Sequence, residues 1–449
     1  MFRLIVKTKF TMKNPVAFAL LFCALSFSAQ KKWTLQECVQ YAAQNNLQVK
    51  QNVLSKKMQE KNLEASKKDK LPGVSGTLNN NASFGQGQDV FGNSQRNDNF
   101  NNSANIGANI LVFNNKRLDK QIRKDQLEVE ASQYDIEKTQ NDISVQIAQQ
   151  YLNILLNREV EKINKSAFEN AKKQYDRAKI TTKVGTTAQT VLAEAEAAMA
   201  RENQNVKTAE TNTKTSLFSL AMLLQLEDYR NFDVIDAPEI NDIEKSTIST
   251  DDVVSKAYEN QPQIKAALSR IKVSEAQTEV AKTNFWPTVT ASAGLGSYYF
   301  NALNRGGDND FFKQYQDNFG QQLGLSANIP IFNKGITKLQ VEQAKINEDI
   351  AKNNLNLQKQ DVLQNVQKAE YAAENNYEIY LAALEAEKSS KLALDYAEKS
   401  YDAGRTTIYD LNISRNNYAN AQGSVAQAKF NYLFQLKLME FYAGIPLSL

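Results

Sequence analysis

Two long segments without glycine or proline restrict the fold of this chain more than any other feature. They cover residues 116–184 and 336–403, and each is followed by one isolated glycine, Gly185 or Gly404. A continuous helix of this length would extend on the order of 100 Å, well beyond a compact domain. Apolar residues recur in the first segment at coiled-coil spacing: Val129, Ile136, Ile143, Ile147, Tyr151 and Ile154. The sequence therefore predicts two very long helices that pack through apolar stripes.

Each isolated glycine predicts a reversal of the chain at the tip of a long helix. Helices commonly end at a residue of positive φ, which glycine adopts without a steric penalty. Thr406 or Thr407 is then expected to cap the helix that returns. The returning helices are predicted over about 187–226 and 407–442, after the tips at Gly185 and Gly404.

The chain repeats itself. "YAAQNNLQVK" (41–50) matches "KAYENQPQIK" (256–265), while "ANILVFNN" (108–115) matches "ANIPIFNK" (327–334). We therefore predict two structural copies, 30–239 and 240–449. Each copy should contain a helical segment, a strand region, a long helix, a tip and a returning helix. The helical segments are expected at 34–68 and 251–283, and the strand regions at 72–113 and 287–332.

The two strand regions alternate between apolar and polar residues with a period of two. The apolar positions are Ile106, Ala108 and Ile110 in the first copy, with Val289, Ala291, Ala293, Leu295, Leu323, Leu325, Ala327 and Ile329 in the second. The second copy predicts strands over 287–300 and 320–332. Strands of about 9–11 residues can cross a membrane, but four strands cannot close a barrel in lipid. Several chains must therefore share one barrel, unless these strands are ordinary hairpins on a soluble coiled-coil protein.

The N-terminal residues 1–29 are predicted to be upstream residues and a cleaved signal peptide, with Met1 or Met12 as the start. From Met12, a lysine, an apolar core and small residues follow in the order typical of secretion. Removing four basic residues from a formal charge of +3 leaves −1, so no nucleic acid partner is expected. Cys38 would then be the one remaining cysteine, which we expect to be packed. The chain has no histidine and no catalytic or metal-binding motif, so neither an enzyme nor a cofactor or metal is predicted.

Four motifs together resemble the TolC-like outer-membrane efflux protein family. They are "WTLQECVQYAAQNNLQVK", "ANIPIFNKG" with Pro330, "SYDAGRTTIYDL" and "NYLFQLKLMEFYAG". The resemblance implies an α+β membrane protein: a homotrimer with a twelve-stranded barrel in outer-membrane lipid, four strands per chain, continued by a helical coiled-coil tunnel in the periplasm. It also implies a periplasmic adaptor (membrane fusion) protein and an inner-membrane transporter of the RND or ABC class. Phe113, Pro330 and Phe332 mark the expected strand-to-helix junctions.

The function implied by this resemblance is a passive exit duct of a tripartite efflux or type I secretion system. The alternative is a soluble periplasmic coiled-coil adaptor or structural protein. In the family, acidic residues just after the glycine turn narrow the tunnel, and the matching acid here is Asp410. A second family acid falls on Ile413, and Val191 takes the acid position in the first copy.

The resemblance also places two further residues at the constriction. Tyr401 keeps its family position, while Thr406 stands where arginine is common and Arg405 lies one position early. Three Asp410 carboxylates around one axis would raise their pKa values by repulsion and attract cations. An aspartate in a first helical turn also simply favours the helix N-terminus.

Overall fold

The computed structural model describes residues 32–88, 91–236, 243–245, 249–303 and 310–447. The predicted signal peptide, residues 1–29, lies outside these ranges. The described helices are α1 (Leu35–Asn45), α2 (Leu47–Lys68), α3 (Arg117–Lys183), α4 (Gln189–Leu224), α5 (Thr250–Asn260), α6 (Pro262–Lys282), α7 (Phe311–Asp317), α8 (Ile336–Asp402) and α9 (Ile408–Tyr442). The described strands are β1 (Lys32–Trp33), β2 (Gly73–Ser83), β3 (Gln86–Gln88), β4 (Ser94–Arg96), β5 (Asn99–Phe113), β6 (Asp233–Val234), β7 (Thr288–Ala302) and β8 (Gly320–Asn328).

The two long helices begin and end within about a residue of the predicted bounds. Both α3 and α8 contain 67 residues. Their stripe residues Ile147 and Ile154 are fully buried, as is Val362 in α8. Breaker-free sequence with an apolar stripe was therefore sufficient to predict these helices, and α4 and α9 follow them as expected.

The helical segments predicted at 34–68 and 251–283 are each divided into two helices. Asn46 is extended (φ −60°, ψ 132°) and its side-chain Oδ1 accepts the N–H of Gln48 at 2.8 Å. In the second copy, Gln261 is extended (φ −67°, ψ 128°) before Pro262. A proline disfavours a helical conformation at the preceding residue, while it fits the first position of a new helix. Prediction of one helix per segment was therefore wrong at equivalent points of both copies.

Contacts within the chain define two compact units, each built from parts of both halves of the sequence. The first contains the described residues of Met1–Val49, Gln140–Ala257 and Gln364–Leu449, and the second those of Lys50–Thr139 and Tyr258–Leu363. Leu220, Leu224 and Tyr432 are buried in the first unit. The second unit holds the main sheet and a small buried cluster of Ala281, Val341 and Ala344.

The main sheet has the strand order β2-β5-β7-β8, with every neighbouring pair antiparallel. Two strands come from each half of the sequence, as predicted. The last strand ends at Asn328, so the prediction that it extends to Phe332 was wrong. Pro330 explains the difference, because proline has no N–H to donate to a strand ladder.

A short parallel strand pair in the first unit was not predicted. Lys32 pairs with Asp233, and Trp33 with Val234, in β1 and β6. The Tyr151 hydroxyl contacts the backbone oxygens of Trp33 at 3.2 Å and Ile235 at 3.0 Å. Burial is the main reason that the pKa of Tyr151 rises to about 12. Tyr151 therefore links helix α3 to strand β1 and to the residue that follows strand β6.

Cys38 is fully buried in the first unit, in agreement with the expectation of a packed cysteine. Burial raises the pKa of its thiol to about 12, so the thiolate is strongly disfavoured. Among the described residues, no helix combines the length and apolarity that a membrane crossing requires.

Candidate functional site at the helix tips

The two glycine turns have the same hydrogen-bonded geometry. Gly404 has φ +68°; its N–H donates to Tyr401 O at 2.9 Å, and the N–H of Arg405 donates to Ser400 O at 2.9 Å. Gly185 has φ +81°, with the corresponding bonds from Gly185 to Thr182 and from Thr186 to Thr181, both at 3.0 Å. This pair of bonds is the Schellman motif, which satisfies the last carbonyls of a helix. The turns predicted at Gly185 and Gly404 are therefore both present.

Asp410 forms a reciprocal cap at the start of α9. Its backbone N–H donates to Thr407 Oγ1 at 3.2 Å, while its Oδ2 accepts the Thr407 N–H at 3.2 Å. Oδ2 also accepts the hydroxyls of Thr407 at 2.6 Å and Thr406 at 3.0 Å. These bonds, led by that of the Thr407 side chain, lower the pKa of Asp410. Within one chain the pKa shift is thus opposite in direction to the one expected from repulsion among three copies.

The other two residues predicted at the constriction precede this cap: Tyr401 lies in the last turn of α8, and Arg405 lies in the connection to α9. Tyr401 is half-buried and its carbonyl closes the glycine turn, whereas Arg405 is exposed. Ile413 is 41% exposed on α9. In the first copy, the N–H of Val191 donates to Ala188 O at 3.1 Å in the first turn of α4, which has no side-chain cap. The two tips therefore share their glycine turn but differ in how the returning helix begins.

Two ion pairs connect the helices beside the tips. Arg177 Nη1 lies 2.8 Å from Asp402 Oδ1 and thereby joins the C-terminal part of α3 to the end of α8. Arg415 Nη2 lies 2.9 Å from Glu398 Oε1 and joins α9 to α8. The Nε and Nη1 atoms of Arg415 are buried without a hydrogen-bond partner. Sequence reasoning missed both pairs, since neither partner is close to the other along the chain.

A cavity of about 240 Å³ lies next to Arg415, between the helix pairs of the first unit. Its wall includes Ala167 and Ala171 of α3, Ala198 of α4, and Ile413 of α9. The small side chains of the three alanines leave space between the helices close to the tips.

The two strand-to-helix junctions of the chain also share one backbone geometry. Asn115 and Lys116 have φ +50° and +58°, and Lys334 and Gly335 have φ +59° and +78°. Two successive left-handed residues thus join a strand to each long helix. The available sequence signal was the run after each phenylalanine, Asn-Asn-Lys after Phe113 and Asn-Lys-Gly after Phe332, because asparagine and glycine tolerate this conformation best.

The residues predicted at these junctions occupy the ends of the strands. Phe113 pairs with Val289 beside an irregularity in the register, and it is 46% exposed. Pro330 follows β8, and Phe332 is 84% exposed. The exposed aromatic rings at this end of the sheet fit a boundary between an apolar medium and water.

The register of the main sheet separates its residues into an apolar and a polar face. The apolar face combines Val74, Leu78, Ala104, Ile106, Ala108, Ile110, Val289, Ala291, Ala293, Leu295, Leu323, Leu325 and Ala327. The opposite face carries mainly glycine, asparagine, serine, threonine and glutamine, as the pairs Asn105 with Gly296 and Ser292 with Gly324 illustrate. Leu323 is 88% exposed and Leu325 is 74% exposed. The sequence expectation of alternating faces is therefore met in both copies.

In the part of the chain that the structure describes, no group of three or more potential metal-ligating side chains comes together.

Comparison with known proteins identifies the same fold and family. The family model described as "Outer membrane efflux protein" matches residues 38–224 and 253–441. The outer membrane protein TolC of Escherichia coli (strain K12) is 31% identical over 179 residues, which are 38% of this chain and 35% of TolC. TolC of Vibrio cholerae is 23% identical over 305 residues, or 66% of each chain. The chain thus spans about a third of the length of the first relative and just under two thirds of the second.

The solved structure of the Campylobacter jejuni CmeC outer membrane channel covers 100% of this chain and 95% of its own, with a TM-score of 0.73 and 20% identity. The VceC outer membrane protein of Vibrio cholerae gives a TM-score of 0.71, 15% identity, and coverage of 92% and 97%. These likenesses confirm the predicted α+β fold. Because the family model matches most of the sequence, in two blocks, the chain belongs to the outer membrane efflux protein family.

Proposed function

We propose that this chain is one of three identical subunits of an outer-membrane duct that extends into the periplasm. The duct is passive, since substrates would be driven through it by an inner-membrane transporter of the RND or ABC class. A periplasmic adaptor (membrane fusion) protein would connect the two, in an efflux or type I secretion system. This role belongs to a transport channel rather than to an enzyme.

The two-faced sheet is the observation that carries this proposal. Its apolar face exposes large side chains such as Leu323, Leu325 and Ile106, which in water would be an unusually large apolar surface. Lipid is the environment that makes such a face favourable. The polar face, with Asn105 and Gln322, would then line a water-filled lumen.

The open edges of the sheet require further chains. Strands β2 and β8 each have a neighbour on one side only. An unpaired backbone polar group in lipid costs several kcal/mol, so an open sheet cannot remain there. Pairing β8 of one copy with β2 of the next removes every edge, and three copies of the four-stranded sheet give a barrel of twelve strands.

The helix tips are the proposed constriction of the duct. Asp410 would contribute one carboxylate from each subunit, near Tyr401 and Arg405. Its hydrogen bonds to Thr406 and Thr407 favour the ionised form. A ring of ionised carboxylates attracts cations and repels anions, so the proposed constriction is cation-selective.

The two copies, 30–239 and 240–449, are part of the same proposal. Identical Schellman turns at Gly185 and Gly404 support them, as do the left-handed pairs at both junctions. The copies differ at the start of the returning helix, where only Thr407 forms a side-chain cap. The constriction would therefore be formed by the second copy.

Single-channel conductance in planar bilayers tests the proposal. The wild-type trimer should conduct with a preference for cations, and Asp410→Asn should reduce that preference. Glu37→Gln is the matched control, because Glu37 also caps its helix with a threonine but is not placed at the constriction. Conductance without any change in Asp410→Asn would retain the duct and refute the constriction. A soluble monomer without conductance would refute the duct and favour a periplasmic adaptor.

A further inference from the structure

Helix α7, in the connection between β7 and β8, packs on the apolar face of the main sheet. The hydroxyl of Tyr315 contacts Asn102 Oδ1, and the Ser297 hydroxyl donates to the backbone oxygen of Tyr315 at 2.7 Å. The rings of Phe311 and Tyr299 have centroids 5.1 Å apart. Since Ser297 and Tyr299 share a face with Leu295, this helix lies on the side that faces lipid in the proposed duct.

The helix is held at the end of the strands where the apolar face becomes polar. Gln314 accepts the N–H of Phe300 at 2.9 Å and donates to its carbonyl at 3.0 Å. Asn318 donates to Tyr298 O at 2.8 Å. On the apolar face, the side chains beyond Leu78 and Leu295 are Asn80 and Ser297. These contacts fix α7 at the boundary of the apolar band.

Aromatic side chains of this segment nevertheless project into the surroundings. Phe312 is 78% exposed and Phe319 is 56% exposed, although Phe311 and Tyr315 pack against the sheet. Exposed aromatic rings at the edge of an apolar band are typical of the interface between lipid and water. The segment thus presents an apolar surface at the level where lipid headgroups meet their chains.

An open groove of about 460 Å³ lies between the sheet and the residues Tyr315 and Phe319. Its lining includes Leu78, Ala104, Ile106, Leu295, Tyr315 and Phe319. Leu78, Ala104, Ile106 and Leu295 in this lining belong to the apolar face of the sheet, so the groove is part of the surface that faces lipid in the proposed duct. Small residues form its floor, since Ala104 and Gly76 lie between the larger side chains.

We propose that this groove binds an acyl chain of an outer-membrane lipid, beside α7 at the outer interface. The proposal rests on the proposed barrel, because only a lipid-facing sheet would bring acyl chains to this groove. Its physical reason is that a chain segment in the groove covers Leu78, Ile106 and Phe319, which are otherwise exposed.

Fluorescence quenching by brominated lipids tests the groove in the complete protein. A background with Trp33→Phe and Trp286→Phe removes both native tryptophans. Three single reporters are then compared in vesicles of phosphatidylcholine brominated on its acyl chains. Phe319→Trp reports on the groove, Leu323→Trp on the open apolar face, and Gln322→Trp on the polar face.

The expected result is strong quenching at positions 319 and 323, with little at 322, where aqueous iodide should quench instead. At position 319, bromine near the carboxyl end of the chain should quench more than bromine near the methyl end. Ala104→Phe fills the groove and should reduce quenching at 319 to the level at 322, without affecting 323. Ser103→Phe, on the polar face of the same strand, is the matched control and should change nothing.

The outcomes separate failure of the groove from failure of the barrel. Quenching at 323 but not at 319 would overturn the acyl-chain site and keep the lipid-facing sheet. Quenching at 319 that Ala104→Phe does not reduce would also overturn it, because the chain would then not lie in the groove. Absence of lipid quenching at both positions would contradict the proposed membrane barrel itself.

Discussion

Gln225 adopts a left-handed conformation, and its side chain accepts a hydrogen bond there. It follows helix α4 with φ +58° and ψ +42°, in a turn like those of the glycines. Its Oε1 accepts the N–H of Leu47 at 3.0 Å, at the first residue of α2. In the second copy the equivalent turn residue is Gly444, with φ +91°, and the equivalent helix begins with Pro262. Proline has no N–H to satisfy, so no side-chain acceptor is needed there.

The cost of the left-handed conformation and the gain from the hydrogen bond are comparable. Substitutions that remove one without the other should therefore change stability measurably. A left-handed conformation costs a non-glycine residue about 1–2 kcal/mol, while a hydrogen bond contributes about 0.5–1.5 kcal/mol. Gln225→Gly removes both effects and should leave stability nearly unchanged. Gln225→Ala removes only the hydrogen bond and should be destabilising. In a Leu47→Pro background the bond is already absent, so Gln225→Gly should stabilise by about 1 kcal/mol.

Thermal unfolding followed by circular dichroism, at fixed protein and detergent concentrations, provides the assay. Leu47 is 66% exposed and the preceding residue is extended, so proline should be accepted at this position. The double-mutant cycle gives the coupling between the two positions. Gln225→Gly could instead raise the Tm equally in the wild-type and the Leu47→Pro backgrounds. That result would refute the prediction, because the hydrogen bond would then contribute nothing to stability.

Three further predictions concern contacts of the first unit. A double-mutant cycle of Arg177→Ala and Asp402→Ala should give a coupling energy below about 1 kcal/mol, because both side chains are exposed. A larger coupling energy would contradict the expectation that an exposed ion pair contributes little to stability. Thr407→Ala should lower the Tm at neutral pH. The pKa of Asp410 is lowered in the folded chain, so the Tm difference between Thr407→Ala and wild type should be fully present above the ordinary aspartate pKa. This Tm difference should shrink as the pH falls through the lowered pKa. A Tm difference that persists in strong acid would contradict the prediction. Tyr151→Phe should destabilise by about 1 kcal/mol, since two carbonyls lose their donor, and an unchanged Tm would show that water replaces it.

The helices and the main strands could be predicted because their signals are local. A long segment without breakers, an apolar stripe and a terminal glycine define α3 and α8 without reference to any other part of the chain. Period-two alternation likewise identifies β5 and β7. These patterns depend on neighbours within a few positions, which one sequence contains in full.

The features that were missed depend on contacts between distant positions. Nothing around Gln225 indicates a left-handed turn, because its reason is the N–H of Leu47, 178 positions away. The strand pair of Trp33 and Val234 is equally remote in sequence. Helix α7, between the strands predicted over 287–300 and 320–332, was not predicted, since its aromatic residues find their partners only on the folded sheet.

The predicted constriction is intermediate between these cases. The glycine turns at Gly185 and Gly404 follow from local sequence and are present. The role of Asp410 was inferred from the resemblance to a family, and one chain demonstrates its cap but not its environment in an assembly. Its function therefore remains a prediction that an assembled duct must test.

Native mass spectrometry of the protein extracted from outer membranes in detergent tests the central claim most directly. We expect one species with the mass of three chains, whose four-stranded sheets together would form the proposed barrel of twelve strands. A stable monomer released without detergent would contradict it, since the apolar face of the sheet would then be compatible with water.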